Sequence, residues 1–420
     1  MKIKLLLFVL LVFQTSFSQQ RTCGVKEQLQ RIMNDPSQRQ AYLELQNNFE
    51  IELQKMKSGL NKNTNAVIRI PVAVHYPTLP PTTGFTPALK TCLRALAQKQ
   101  IDILNADYNA TNTDISKWIT DKSYYPATNT GNMNVQFVLA TQNHPAGTGL
   151  VNGDVAVTFG TDFLNGDDTD LTWKKYCNVV VRNISGSILG YSPPGGSPSQ
   201  GMTVVIDNNS FGAALSPAPT TCSGYVPTSP YNKGRTLTHE MGHFFNLNHT
   251  FDGCDGANCA SSGDRVCDTP DLSAANYGSP VAGDVMGCND FALTMNYMDY
   301  VDDAYMYMFT AGQVTRMTLW YNSIKTQLYT NTLANEEFLQ NQFSLYPNPN
   351  KGSFTIEFKD LTNSYYIEIF DVTGKTIYEN NYSQASDLVQ TINLDNPTNG
   401  VYFVNIKTDK GLVTKKLIIQ

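Results

Sequence analysis

Charge is scarce in this chain of 420 residues. Asp, Glu, Lys and Arg make up 16% of it, and 30 Lys plus Arg against 36 Asp plus Glu leave a net charge of −6. A sparse field of that sign does not draw in a phosphate backbone, which excludes nucleic acid as a partner. Long apolar runs are also lacking. The run from Leu5 to Phe13 is too short to cross ~30 Å of bilayer hydrocarbon, and no other stretch approaches that length, so no transmembrane segment is expected. Histidine occurs only five times, and glutamate is missing altogether between His243 and Glu336. What is abundant is Tyr (22), Phe (20), Gly (29) and Pro (20), with 41% hydrophobic residues. That composition describes a loop-rich globular chain large enough for two or three domains.

Lys2 and Lys4 precede the short apolar run, and small residues follow at Ser16 and Ser18. This is the layout of a secretory signal peptide over residues 1–18, which places the mature protein outside the cytoplasm, by way of the periplasm. In that compartment the eight cysteines read as disulfide formers. Cys254, Cys259, Cys267 and Cys288 lack the spacing of zinc-knuckle pairs and suit two disulfides across a long loop, in any of three connectivities. Cys92, Cys177 and Cys222 lie upstream. Cys23 stands apart in a polar segment of weak helical period, residues 19–60, which reads as a detachable pro-segment. Without it seven cysteines remain, and one must be unpaired.

The strand-like VIRIPVAVHY opens a main domain over residues 61–328. An amphipathic helix follows in TCLRALAQKQIDILNADY, with Leu93, Leu96, Ala97, Ile101 and Leu104 on its apolar face. MNVQFVLA, CNVVVRNI, SILGY and GMTVVID are short β-rich runs, so the plan is α/β or α+β. A linker is expected over 329–342. From 343 to 420 β-runs alternate with turns such as PNPNKG, DVTGK and PTNG, the pattern of a small antiparallel β-sandwich.

Three of the five histidines, His239, His243 and His249, fall within HEMGHFFNLNH. On a helix the first two share a face one turn apart and can reach one metal ion, with Glu240 beside the site. Asn246, tolerant of the left-handed conformation, stands where the chain must turn back to deliver His249. The missing downstream glutamate removes a His₂Glu arrangement and leaves His249 as third ligand. Three neutral nitrogens hold zinc with one position open for water. His75 and His144 read as structural.

HEMGHFFNLNHTF, GDRVCDTPD and MNYMDYVDDAYMYMFTAGQVTRM, preceded in order by IPVAVHY, QIDILNADY, VQFVLA and SILGY, resemble the pappalysin branch of the metzincin zinc metalloproteases, across roughly residues 65–325. Asn246 replaces the glycine of that signature. The resemblance implies a metzincin-type catalytic domain with a twisted sheet and an active-site helix. It implies that His239, His243 and His249 bind Zn²⁺ and that Glu240 polarises the zinc-bound water and passes its proton to the leaving amine. Met298 matches the Met-turn residue, and Tyr300 the tyrosine that can bind the metal or the oxyanion. Asp303 matches the acid at the base of the pocket for the residue after the scissile bond, which implies cleavage before Arg or Lys in protein or peptide substrates. SILGY matches the rim strand that takes substrate as an antiparallel strand, and Cys23 a latency thiol.

Each of these residues has a plainer reading. Met298 and Tyr300 have an alternative as ordinary core residues, Asp303 as a solvated acidic turn or calcium ligand, and Cys23 as a disulfide partner. Asp264, Asp268 and the Thr269 carbonyl suit Ca²⁺, as relatives carry, or an acidic turn bonding its own backbone. YPNPNKGSF, FDVTGKTIY and the terminal KKLIIQ resemble the C-terminal sorting domain of cargo for the type IX secretion machinery. The leading expectation is a secreted or surface-attached zinc endopeptidase made as a latent zymogen. A non-catalytic adhesin on a metalloprotease scaffold and a zinc hydrolase of non-peptide bonds are the alternatives.

Overall fold

The computed structural model describes residues 20–57, 68–77, 84–160, 169–215, 222–254, 259, 262–329, 343–358, 364–383, 389–408 and 411–420. The expected signal peptide, and all but the first residue of the expected linker, lie outside them. The chain divides into two compact units. The larger comprises Met1–Ile70, Val74–Phe137 and Thr158–Leu328, and the smaller comprises Pro71–Ala73, Val138–Val157 and Tyr329–Gln420.

The segment expected as a pro-segment contributes a short strand, β1 (Thr22–Cys23), and two helices, α1 (Val25–Asn34) and α2 (Pro36–Lys57). Asp35 separates the helices and starts the second: its Oδ1 accepts the backbone N–H of Ser37 (2.9 Å) and Gln38 (3.0 Å), so two otherwise unmet donors are satisfied.

Strands β2 (Ile68–Tyr76), β3 (Val135–Leu139), β4 (Val157–Phe159), β5 (Cys177–Arg182), β6 (Ile188–Tyr191) and β7 (Thr203–Asp207) complete a mixed seven-stranded sheet. Its order is β1-β6-β7-β5-β2-β3, with β4 also beside β2. β5 and β7 run parallel and are buried except for Arg182 at the end of β5, which is why both read as unbroken Val/Ile runs rather than as alternation. Helix α3 (Pro87–Tyr108) is the expected amphipathic helix. Thr86 caps it by accepting the Leu89 N–H, Pro87 occupies the first turn, and all five predicted core residues are buried. After a single turn, α4 (Trp118–Asp121), come α5 (Arg235–Phe244), packed against α3, β6 and β7, and α6 (Ala311–Ile324).

Three disulfides tie this unit: Cys92–Cys222, Cys254–Cys288 and Cys259–Cys267. The four-cysteine cluster thus forms its two bridges as expected, buried Cys177 is the unpaired one of the seven beyond the expected pro-segment, and Cys23 is a free thiol as well. Cys92–Cys222 spans 130 residues of sequence, so it restrains the unfolded chain most. Replacing both cysteines by serine is expected to cost about 4 kcal/mol in denaturant unfolding. An unchanged midpoint would refute that.

The C-terminal strands form two antiparallel sheets. One orders β11 (Thr376–Ser383), β10 (Ser364–Asp371), β13 (Gly400–Thr408) and β14 (Gly411–Ile419), and the other β12 (Val389–Asn393), β9 (Ser353–Phe358) and β8 (Phe343–Tyr346). Phe354, Ile356, Ile367, Ile369, Val404, Ile406 and Leu417 fill one core, as the alternation in SFTIEF and YYIEIF predicts. In the DVTGK turn the Asp371 carboxylate accepts the N–H of Thr373 and Lys375. The fold class is the expected one: an α/β catalytic-type unit and a small antiparallel β-sandwich.

Candidate metal centre

Helix α5 is buried along its whole length and is held from three sides. At its start the Asp303 Oδ2 accepts the N–H of Lys233 (2.8 Å) and Arg235 (3.3 Å). From α3, Asp107 takes Arg235 Nη1 (2.5 Å) and Thr238 Oγ1 (2.6 Å), while Arg235 also donates to the Tyr297 hydroxyl. Gly242 lies against the third support: a Cβ there would meet Met298 Sδ at 2.5 Å. Met298 is fully buried, with its N–H held by Asn296 Oδ1 (2.9 Å).

The helix stops because Asn246 adopts φ 67°. Leu247 N–H then donates to the Gly242 carbonyl (2.9 Å) and Asn246 N–H to that of His243 (2.8 Å), closing the turn and redirecting the chain. His249 therefore returns to the helix, and its Nε2 lies 3.1 Å from His243 Nε2. One ligand atom from each of Cys23, His239, His243 and His249 lies within 4.8 Å of the others, and all three histidines are buried.

These residues fit a metal ion. His239 Nδ1 lies 2.7 Å from the Tyr297 carbonyl and His243 Nδ1 2.8 Å from that of Leu247. Those carbonyls accept the Nδ1 protons, which turns the Nε2 lone pairs into the cluster. His239 Nε2 is buried there with no hydrogen-bond partner. Burial pushes His243 down to about 4 and His239 and His249 well below the ordinary histidine value, which favours the neutral, ligating form of each.

Glu240 is buried beside them, and burial pushes its carboxyl up to about 8. The Cys23 thiol donates to its Oε2 at 3.3 Å, and Cys23 N–H donates to the Tyr300 hydroxyl at 3.1 Å. Burial and the neighbouring Glu240 raise the thiol well above its ordinary value. Tyr300 also lies 3.2 Å, through its hydroxyl, from His249 Nε2. Asp303 is fully buried, not a solvated turn, and its Oδ1 pairs with the guanidinium of Arg21. Arg21 was not singled out from the sequence. The available signal was its position two before Cys23 in RTCG, which puts both on one face of an extended strand.

That strand, β1, pairs in parallel with β6: Thr22 lies opposite Ile188, Cys23 opposite Gly190, and Gly24 N–H donates to the Gly190 carbonyl (3.1 Å). It runs counter to the antiparallel sense expected for a substrate. Gly190 is required here, because a Cβ would meet Glu240 Cγ at 2.9 Å.

The two acids expected to suit calcium or an acidic turn both accept hydrogen bonds within the chain. Asp264 accepts Val266 N–H (2.9 Å) and Thr269 Oγ1 (2.5 Å), and Asp268 accepts Thr310 Oγ1 (2.6 Å) and Gly312 N–H (2.8 Å) at the start of α6. Asp264 thereby bonds its own turn, and Asp268 the first residues of α6. Among the described residues the cluster around Cys23 is the one group placed to hold a metal ion. His75 is a core residue bonded to Thr158 and Asn178, and His144 meets the Asp154 carbonyl.

Residues 167–321 match the family described as pregnancy-associated plasma protein-A, and residues 344–420 match the secretion system C-terminal sorting domain. An extracellular metalloprotease of Verticillium alfalfae is 49% identical over 96 residues, 22% of this chain and 33% of that protein. Extracellular metalloprotease 1 of Coccidioides posadasii is 37% identical over 144 residues, 34% of this chain and 49% of that protein. The chain thus spans a third to a half of the length of these curated relatives. A promirolysin mutant of Tannerella forsythia is similar in structure, with a TM-score of 0.52 and 27% identity over 75% of this chain and 99% of that one.

Proposed function

We propose that this chain, which carries a peptidase domain of the pregnancy-associated plasma protein-A family ahead of a secretion-system sorting domain, is the latent precursor of a secreted zinc endopeptidase. The observation that carries the reading is the convergence of three neutral imidazoles and the Cys23 thiol on one point beside Glu240. His239, His243 and His249 would hold the zinc, which when bound would supply Lewis acidity to the scissile carbonyl and to a water molecule. Glu240 takes the proton of the attacking water and delivers it to the leaving amine, a role suited to a buried carboxyl of raised basicity. The Tyr300 hydroxyl donates to the oxygen on which charge develops. Met298 supports the helix from below, and β6 receives the substrate backbone as an added strand.

Arg21 supports the specificity reading. A guanidinium on buried Asp303 is the pairing that a substrate Arg would make after the scissile bond, and Cys23 holds the ligand side of the cluster until the pro-segment leaves. That β6 already carries a polypeptide strand favours peptide over non-peptide substrates. In this reading residues 1–18 direct export, 19–60 impose latency, 61–328 form the catalytic domain, and 343–420 engage the type IX machinery and are then removed.

Digestion of a denatured protein mixture by the activated enzyme, with cut sites mapped by mass spectrometry, is expected to give cleavage before Arg and, less often, Lys. Asp303→Asn keeps an oxygen for the helix N–H groups yet lowers kcat/KM for Arg substrates about thirtyfold or more. Sites scattered without regard to Arg or Lys reject the Asp303 assignment, and an absence of any cleavage rejects the protease.

A further inference from the structure

Residues 20–57 are held at two separate places. At the front, Arg21 and Cys23 engage Asp303, Glu240 and Tyr300, and β1 pairs with β6. At the rear, α2 lies on α6. Tyr42, Leu45, Gln46, Phe49, Leu53 and Met56 recur at helical spacing as the covered face of α2, with Phe49 wholly buried. Phe49 packs on Trp320 with ring centroids 5.7 Å apart, and the Arg316 guanidinium lies 4.9 Å over the Phe49 ring. The Gln46 and Asn246 side-chain amides each donate to the other at 3.4 Å, and Arg316 Nε donates to the Asn246 carbonyl at 2.6 Å. A glycine at 246, as in the metzincin signature, would make neither amide contact. The contacts named here involve neither a histidine of the cluster nor Glu240.

We propose that Trp320, Arg316 and Asn246 form a binding surface for α2 as a separate polypeptide. One hydrolytic cut between Lys57 and Ile68, water adding across a single peptide bond, then leaves residues 19–57 bound and the cleft still closed. Activation takes a second cut, within residues 19–57. This rests on the latency reading above. It adds that breaking the covalent link is not what releases the inhibitor. An aromatic buried in an amphipathic helix, with an arginine stacked on it and an amide pair beside it, is the composition of an interface that binds a helix in a groove.

The test uses the full chain with a recognition sequence for a specific protease placed within residues 58–67. In the Glu240→Gln background, which stops self-cleavage, the cut fragment is expected to co-elute with the remaining chain at micromolar concentration in gel filtration. In the active chain, peptide hydrolysis stays at the uncut level after that cut. Phe49→Ala, and separately the milder Gln46→Ala, loosen the fragment, by about thirtyfold for Phe49→Ala, so that the same cut releases both fragment and activity. Loss of the fragment from the unsubstituted chain, or full activity directly on cutting, overturns the proposal, as does a Phe49→Ala fragment that still co-elutes undiminished. The uncut chain separates this from the latency reading: a low rate that rises in Cys23→Ala keeps latency standing, and an uncut chain as active as Cys23→Ala removes it.

Discussion

Glu240→Gln is expected to yield a protein that still binds its metal and hydrolyses peptides about a hundred- to ten-thousand-fold more slowly than the activated parent. The substitution preserves size and burial and removes only the ability to accept a proton. Glu240 sits one residue after His239 on a helix fixed by Asp107, Asp303 and Met298, so its carboxylate is placed without being turned into the ligand cluster. On its other side Gly190 of β6 lies close to it, which sets the proposed base against the strand proposed to receive the substrate backbone. The change should therefore fall on kcat with KM nearly unmoved. Metal content measured on the same sample separates loss of the base from loss of the site. A rate within a few-fold of the parent at full metal occupancy would reject Glu240 as the base.

The parts of the fold that the sequence discloses are those with a local cause. The α3 core positions follow from helical period, the strands β5 and β7 from unbroken Val/Ile runs, and the turn before His249 from the tolerance of Asn246 for a positive φ. The histidines are legible because i, i+4 spacing on a helix is itself a geometry. What escaped depends on distant chain segments meeting. Arg21 and Asp303 are 282 residues apart, and nothing near either predicts the other. Cys92 and Cys222 pair only because α3 and the loop after β7 come together, and the face that α2 shares with α6 has no motif at all. The surroundings of Asp264 and Asp268 were equally out of reach: the sequence shows a short run of acids, and only the fold shows that Thr269, Thr310 and Gly312 are the donors their oxygens meet.

Removing the metal from the activated enzyme with a strong chelator is expected to abolish hydrolysis down to background, with one equivalent of zinc restoring it. No other group in the site can replace it. The imidazoles are neutral and turned inward, Glu240 can take a proton but cannot polarise a carbonyl, and the Tyr300 hydroxyl, pushed far above its ordinary value by burial, donates without ionising. The same treatment should lower stability. Without the ion, three buried imidazoles face one another with His239 Nε2 unsatisfied, and a ligand that binds only the folded state contributes about 4 kcal/mol at a thousand times its Kd. For a unit of this size that is a fall of roughly 10 °C in Tm. Glu240→Gln should show the same fall on chelation, because its metal is held by the histidines, whereas His243→Ala should start near the metal-free Tm and move little. Activity that survives chelation in protein shown to be metal-free would remove the histidine cluster from the mechanism. A Tm that ignores the metal would mean that the helix, the Asn246 turn and Met298 hold the site together without it.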